Sequence, residues 1–216
     1  IARRLLKGKY NVGRVIARPF IGNPGSFVRT GNRRDFSVDP VGKTMLDVLK
    51  SEGYDVLGVG KIEDIFNHRG LTQSNHAAGN EACTDAIIQY MQKENWKGLL
   101  FANLVDTDQL YGHRNDVKGF AGALEAFDKR LPEILKLLGD DGMLIITADH
   151  GCDPTFPTTD HTRERVPLVT WGLGLQEGVN LGQRKTFADV SATVLEALGS
   201  ETRLDGTSFY PEIALD

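Results

Sequence analysis

Apolar positions along this chain follow two rhythms from about residue 42 onward. Short continuous apolar runs, "YDVLGVG" (54–60), "GLLFANLV" (98–105), "GMLIITA" (142–148) and "VPLVTWG" (166–172), have the length and composition of strands buried on both faces. Between them lie stretches of helical period. "VGKTMLDVLKSEG" (41–53) places Met45, Val48 and Leu49 on one face, with Leu46 at its edge, and stops at Gly53. "NEACTDAIIQYMQKEN" (80–95) is a second helix. "DVKGFAGALEAFDKRLPEILKLLG" (116–139) is a long one, expected to bend near Pro132, which cannot donate the i−4 hydrogen bond. "TFADVSATVLEALG" (186–199) is a fourth, with Thr186 as its N-cap and Gly199 as its stop. Apolar strands alternating with amphipathic helices predict an α/β fold, a mostly parallel sheet sandwiched by helices.

Residues 1–41 break this pattern. "GRVIARPFIGNPGSFVRTGNRRDFSVDP" (13–40) is rich in Arg, Gly and Pro and offers one strand, at Gly13–Phe20. It reads as the tail end of a separate domain joined near Asp39–Gly42 to a core of residues 42–216. The opening "IARRLLKGKY" has no initiator Met and starts inside structured-looking sequence, so the chain reads as one that lacks its N-terminal part.

Composition narrows the function classes. The 216 residues carry a net charge of −4, with 40% hydrophobic and 25% charged residues, which fits a globular protein and gives no electrostatic reason to expect nucleic acid as a partner. No apolar run approaches the roughly 20 residues needed to cross a bilayer, so no membrane partner is expected. Cys83 and Cys152 sit in dissimilar contexts and make no disulfide framework, which points to a cytoplasmic location.

The chemistry concentrates at the ends of two predicted strands, where open α/β sheets gather their ligand groups. "VDTDQLYGHRND" (105–116) brings Asp108 and His113 five residues apart, with Asp106 just before. "TADHGCDPTFPTTDHTRERVP" (147–167) adds Asp149, His150 and His161. Imidazole and carboxylate together suit Mn²⁺ or Zn²⁺, and five such groups exceed one tetrahedral site, suggesting two ions that clamp the oxygens of a phosphoryl transfer. The competing account has the aspartates capping helices and the histidines hydrogen-bonded in loops. His68 and His76, in the polar loop "NHRGLTQSNHAAG" (67–79), are read as binding nothing, and Cys152 as a neighbour of the site only.

These segments closely resemble the phosphopentomutase family of the alkaline phosphatase superfamily, and "GVGKIEDIF" (58–66), "ALEAFDKRLPEIL" (123–135) and "DGTSF" (205–209) extend the resemblance along the whole chain. It implies an alkaline phosphatase-like core, with residues 1–41 the last part of a small α+β cap domain. It implies that Asp108, His113 and His161 hold one metal while Asp149 and His150 help hold another. Asp106 ranks below Asp108 as a ligand, and Asp160 is expected to orient His161 or a nearby turn. The implied reaction moves phosphate between the 1- and 5-positions of α-D-ribose or 2-deoxyribose, through a phosphothreonine enzyme and a bisphosphate, with two Mn²⁺ ions. The catalytic threonine and a further aspartate ligand are expected upstream of Ile1, so these residues alone are expected to be inactive. Arginine's planar fork suits phosphate, and Arg29, Arg18 and Lys61 are the candidate substrate contacts. Other enzymes of the superfamily, such as cofactor-independent phosphoglycerate mutases, phosphatases and sulfatases, share much of the metal plan and are the nearest rivals. A non-catalytic module with a degenerate site is the alternative from another class.

Overall fold

The computed structural model describes every residue except Gly31, Arg33, Glu94 and Asp216, and the side chain of Arg29 also lies outside the described residues. In chain order the elements are α1 (Ala2–Leu5), β1 (Arg14–Ala17), β2 (Phe20–Ile21), β3 (Val28–Arg29), β4 (Arg34–Ser37), α2 (Met45–Ser51), β5 (Asp55–Val59), α3 (Ile62–Ile65) and β6 (Gln73–Asn75). They continue with α4 (Asn80–Met91), β7 (Gly98–Ala102), α5 (Val117–Leu137), β8 (Leu144–Thr147), β9 (Leu168–Trp171), α6 (Ala188–Ala197) and α7 (Tyr210–Ile213).

β5 lies at the middle of a parallel sheet of order β6–β5–β7. Its apolar run is buried as the pattern requires, with Val56, Leu57 and Val59 at 0–1% exposure. α2, β5 and α6 share one apolar cluster through Leu46, Leu49, Val56 and Leu195; Leu57 and Val59 pack on the other side with Cys83, Ile87, Tyr90 and Ile134. The sheet is therefore covered by helices on both faces. β8 and β9 form a separate antiparallel pair, so the parallel arrangement expected from the apolar runs holds for three strands and not for these two.

Several local expectations change. On α2 it is Leu46 that is fully buried with Val48 and Leu49, while Met45 is only partly covered. The reason is tertiary: Gly70, at φ +77°, seats its backbone so closely on Leu46 and Asp47 that a Cβ would clash with both. The start of α2 is fixed by a capping box, Asp47 accepting from the Thr44 amide at 2.9 Å and the Thr44 hydroxyl accepting from the Asp47 amide at 3.3 Å. α5 runs on through Pro132 as a single helix. α6 has Phe187 rather than Thr186 at its N-cap, although the Thr186 hydroxyl still accepts from the Ala188 amide at 3.3 Å.

Residues 1–41 hold two antiparallel ribbons, β1–β4 and β2–β3, where the sequence pattern showed one strand. The crossover to the core is held by α3 and the segment after it. The Ser37 hydroxyl donates to the Asp64 carbonyl at 3.0 Å and the Asn67 amide to Asp39 at 2.6 Å. The Arg69 fork reaches the carbonyls of Pro40 and Gly42 and the carboxylate of Asp47. Among the described residues no helix is long and apolar enough to cross a membrane.

Candidate metal centre

Two loops at one end of the core build the site. β7 exits through Asn103–Asp106 into a single π-type turn, Thr107–Tyr111, followed by a 3-10 turn, Gly112–Arg114. π-turns are rare and concentrate at functional positions. This one projects Asp108, and the turn after it projects His113. The second loop leaves β8 with Asp149 and His150 and is closed by a β-bridge between Gly151 and Thr162, which puts His161 back beside His150. The two loops touch where Gly112 packs on Cys152 so tightly that any side chain at 112 would overlap its sulfur.

The Asp108 carboxylate is the centre. Its Oδ1 lies 3.2 Å from His113 Nε2, 3.1 Å from His161 Nε2 and 4.0 Å from His150 Nε2. The His150 and His161 rings stack at 3.6 Å between centroids, and His113 and His161 at 4.9 Å. Asp149 is more peripheral and exposed, its Oδ2 3.6 Å from His150 Nε2. The five sequence-predicted ligands are thus gathered in one place.

Backbone carbonyls set the imidazole tautomers. His113 Nδ1 faces the Thr159 carbonyl at 2.5 Å and His150 Nδ1 the Gly151 carbonyl at 3.0 Å. A carbonyl only accepts, so each Nδ1 carries a proton and, in the neutral rings, each Nε2 offers a lone pair toward a carboxylate. Lone pairs converging on an anionic oxygen repel unless a cation stands among them, and a second hydrogen bond that orients the ring is the usual support of a histidine ligand. The donor set therefore fits a divalent cation held by imidazole and carboxylate. Two overlapping groups have ligand atoms close enough for this, Asp108–His150–His161 and Asp108–His113–Cys152. The second brings in Cys152, read from sequence as a neighbour. Burial, and then the carboxylates of Asp108, Glu164 and Asp153, push its thiol up, which disfavours a free thiolate.

This geometry can be compared with known proteins. Residues 46–202 match the Metalloenzyme superfamily. The chain belongs to that superfamily. It is similar to proteins named phosphopentomutase: 58% identical over 215 residues to that of Caldanaerobacter subterraneus subsp. tengcongensis, covering 100% of this chain and 54% of the relative. To that of Alkaliphilus metalliredigens it is 54% identical, covering 97% and 53%. The chain thus spans about half the length of these curated relatives. Among solved structures it resembles the phosphoglycerate mutase of Leishmania mexicana, with a TM-score of 0.58 and 21% identity over 82% of this chain and 40% of the other. It also resembles the PH0037 protein of Pyrococcus horikoshii, at TM-score 0.55 and 16% identity over 83% and 59%. At these identities the likeness concerns the fold. Membership of the superfamily carries with it the use of divalent metal.

The remaining candidates of this metalloenzyme chain fall elsewhere. Asp106 is taken up by α4: its Oδ2 accepts from the Asn80 amide at 2.7 Å, and its own amide donates to the Asn80 side chain at 2.9 Å. It serves as the anionic cap of a helix whose N-cap, Gly79, has no side chain to offer. Asp160 is exposed; its amide donates to the Thr158 hydroxyl at 3.3 Å. His68 and His76, read from sequence as binding nothing, both lie against the half-buried Glu63, at 3.1 and 2.5 Å. Arg18 is exposed between β1 and β2, and Lys61 precedes α3 as its N-cap; Arg29 has only its backbone described, in β3. The π-turn had no sequence signal, because it is closed by backbone hydrogen bonds from the Gly112 amide to the Thr107 and Asp108 carbonyls, which no residue letter marks.

Proposed function

We propose that this chain carries the metal-binding part of a phosphopentomutase, which interconverts α-D-ribose (or 2-deoxyribose) 1-phosphate and 5-phosphate. The observation that carries this reading is the Asp108 carboxylate ringed by His113, His161 and His150, in a chain 53–58% identical to phosphopentomutases. By the likeness to phosphopentomutases, Asp108, His113 and His161 would hold one Mn²⁺, and Asp149 with His150 would contribute to a second, although the groups with the closest ligand atoms pair Asp108 with His150 and His161 and with His113 and Cys152. When bound, such ions neutralise charge on the transferring phosphoryl group and polarise its oxygens. The chain's own groups do the rest. Asp108 supplies the negative charge, and the Thr159 and Gly151 carbonyls hold Nδ1–H so that the Nε2 atoms point inward. Arg18, Arg29 and Lys61 bind the distal phosphate of the sugar, with residues 1–41 acting as part of a cap over the core of 42–216. No threonine of this chain is assigned as nucleophile. Two free cysteines, one buried, support a reducing cytoplasm as the compartment.

Mn²⁺ binding followed by electron paramagnetic resonance tests the site: the 216-residue chain should bind Mn²⁺, and His113→Ala should weaken it at least about tenfold. Equal affinity in both would remove His113 from the site. In the protein as its gene encodes it, Mn²⁺ and ribose 1,5-bisphosphate should support conversion of ribose 1-phosphate to ribose 5-phosphate. Turnover of phosphoglycerate instead would favour the phosphoglycerate mutase reading that the fold also admits. The 216 residues alone should show no turnover, and robust turnover by them would overturn that part of the reading.

A further inference from the structure

One side chain joins the two loops of the centre and is used by nothing in the mechanism. Asn115 follows the 3-10 turn that carries His113 and adopts a left-handed backbone, φ +53° and ψ 31°. Asparagine is among the few residues besides glycine that take this conformation readily. Its side-chain amide nitrogen donates to three backbone carbonyls of the other loop: Phe156 at 2.8 Å, Thr158 at 3.0 Å and Pro154 at 3.2 Å.

Two N–H hydrogens are shared among three acceptors, and the acceptors are every second carbonyl of one irregular stretch. Within that stretch Thr155 and Phe156 bond back to Asp153 and Asp160 to Thr158, but Pro154 and Pro157 have no N–H to give, and these short turns do not tie it to the turn of His113. It leads directly into His161. Residue 113 makes a parallel contact, its Nδ1 on the Thr159 carbonyl. Two side chains from one short turn therefore grip four carbonyls between residues 154 and 159, and both ends of the grip carry a group that faces Asp108.

We propose that Asn115 is a positioning residue: by binding the carbonyls of Pro154, Phe156 and Thr158 it fixes the 153–160 loop on the turn of His113, and so sets the spacing of His113 and His161 about Asp108. The second half of this proposal rests on the reading of those three residues as ligands of one metal. The required chemistry is a neutral donor with two hydrogens, in a residue that tolerates positive φ. An aspartate has the same shape and backbone tolerance but presents only acceptors to three acceptors. Glycine keeps the backbone and removes the amide.

The test uses the 216-residue chain with Asn115→Asp and Asn115→Gly. Hydrogen exchange without metal reads the loop restraint. The amides of Asp153, Phe156 and Thr162 are hydrogen-bonded within the loop and its base, and should exchange about tenfold faster in Asn115→Asp, less so in Asn115→Gly, while α4 and β5 stay as in the parent. Unchanged exchange in both variants overturns the proposal whatever the metal does. The second arm measures Mn²⁺ affinity and the visible spectrum of the Co²⁺ form, which reports ligand geometry. Affinity should fall about tenfold in Asn115→Asp, with a changed spectrum, as expected when the support of a ligand is lost. If the parent binds Mn²⁺ and both variants match it in affinity and spectrum, Asn115 positions no ligand and the proposal falls. A parent that binds no Mn²⁺ overturns the reading of the centre itself, and the loop restraint then stands or falls on exchange alone.

Discussion

The half of the core built on β5 and the half built on β8 begin from the same kind of sequence and end in different surroundings. "VLGV" (56–59) and "LII" (144–146) are both unbroken apolar runs, yet β5 is flanked by β6 and β7, covered by helices on both faces and almost wholly out of water. β8 pairs with β9 alone among the described residues, and Leu144, Ile145 and Ile146 stay partly exposed. Ile146 faces an open apolar groove shared with Leu124, Phe127 and Leu131 of α5, and Val169 and Trp171 of β9 are 53% and 38% exposed. An apolar run records a tendency to be buried; how far it is buried depends on what packs against it. The candidate metal centre straddles the two halves, with Asp108 and His113 leaving the deeply packed side and His150 and His161 the thin one.

Core truncation should break the comparison most visibly. Leu57 is 1% exposed inside the second apolar cluster, so Leu57→Ala should cost about 2–5 kcal/mol, the range for a large-to-small change that leaves a cavity. Ile146→Ala, at the open groove, removes fewer contacts and should cost clearly less than half as much. Urea denaturation of both variants checks this through the midpoints at unchanged slope. Equal losses would mean that the two halves are equally packed.

The seam between the halves gives the next effect. Gly112→Ala forces a Cβ onto the Cys152 sulfur and the Thr107 carbonyl, so the two loops must separate or strain, at about 1–3 kcal/mol for overpacking. Its φ is not in the left-handed region, so the cost comes from space and not from the backbone. The double variant Gly112→Ala with Cys152→Ala should recover much of the stability, since the nearest obstacle has gone. Thermal unfolding of the three variants measures the recovery, and its absence would show that the Thr107 carbonyl sets the limit.

These contrasts also mark what could be read from the letters. The strands β5, β7 and β8, the helices α4 and α5, and the five candidate ligands followed from periodicity, strand ends and residue type. What escaped depends on partners without a sequence signal. Leu46 is buried because the Gly70 backbone lies on it; the π-turn is closed by backbone bonds and its end, Gly112, packs on a cysteine 40 residues away; Asp106 is drawn to α4 because Gly79 leaves that helix without a side-chain cap. Asn115 escaped for the same reason, since the three groups it binds are backbone carbonyls and no residue letter distinguishes them. The ribbons of residues 1–41 are short, exposed and set by turns, where apolar patterning carries little information.

The smallest effect is one of pH, and it sharpens the comparison by using one carboxylate from each half. Burial raises the Asp47 carboxyl, but the Thr44 amide and hydroxyl and the Arg69 guanidinium outweigh it and hold the group below its ordinary value. Asp153, in the loop of the thin half, is also held low, by the hydroxyl and amide of Thr155. A carboxylate whose folded value is depressed adds stability that is present above its unfolded value, near 4, and is lost as pH falls through the folded one. Asp47 pins α2, Arg69 and the crossover at once, so its protonation should register in global unfolding: below about pH 4 the parent should lose stability more steeply than Asp47→Asn. The Asp153 carboxylate closes only its own turn in a partly exposed loop, so Asp153→Asn should leave the acid limb of global stability as it is in the parent. Unfolding midpoints between pH 3 and 6 decide the matter. A parent and Asp47→Asn with parallel acid limbs would show that the capping box holds no charge-dependent share of the packed half's stability.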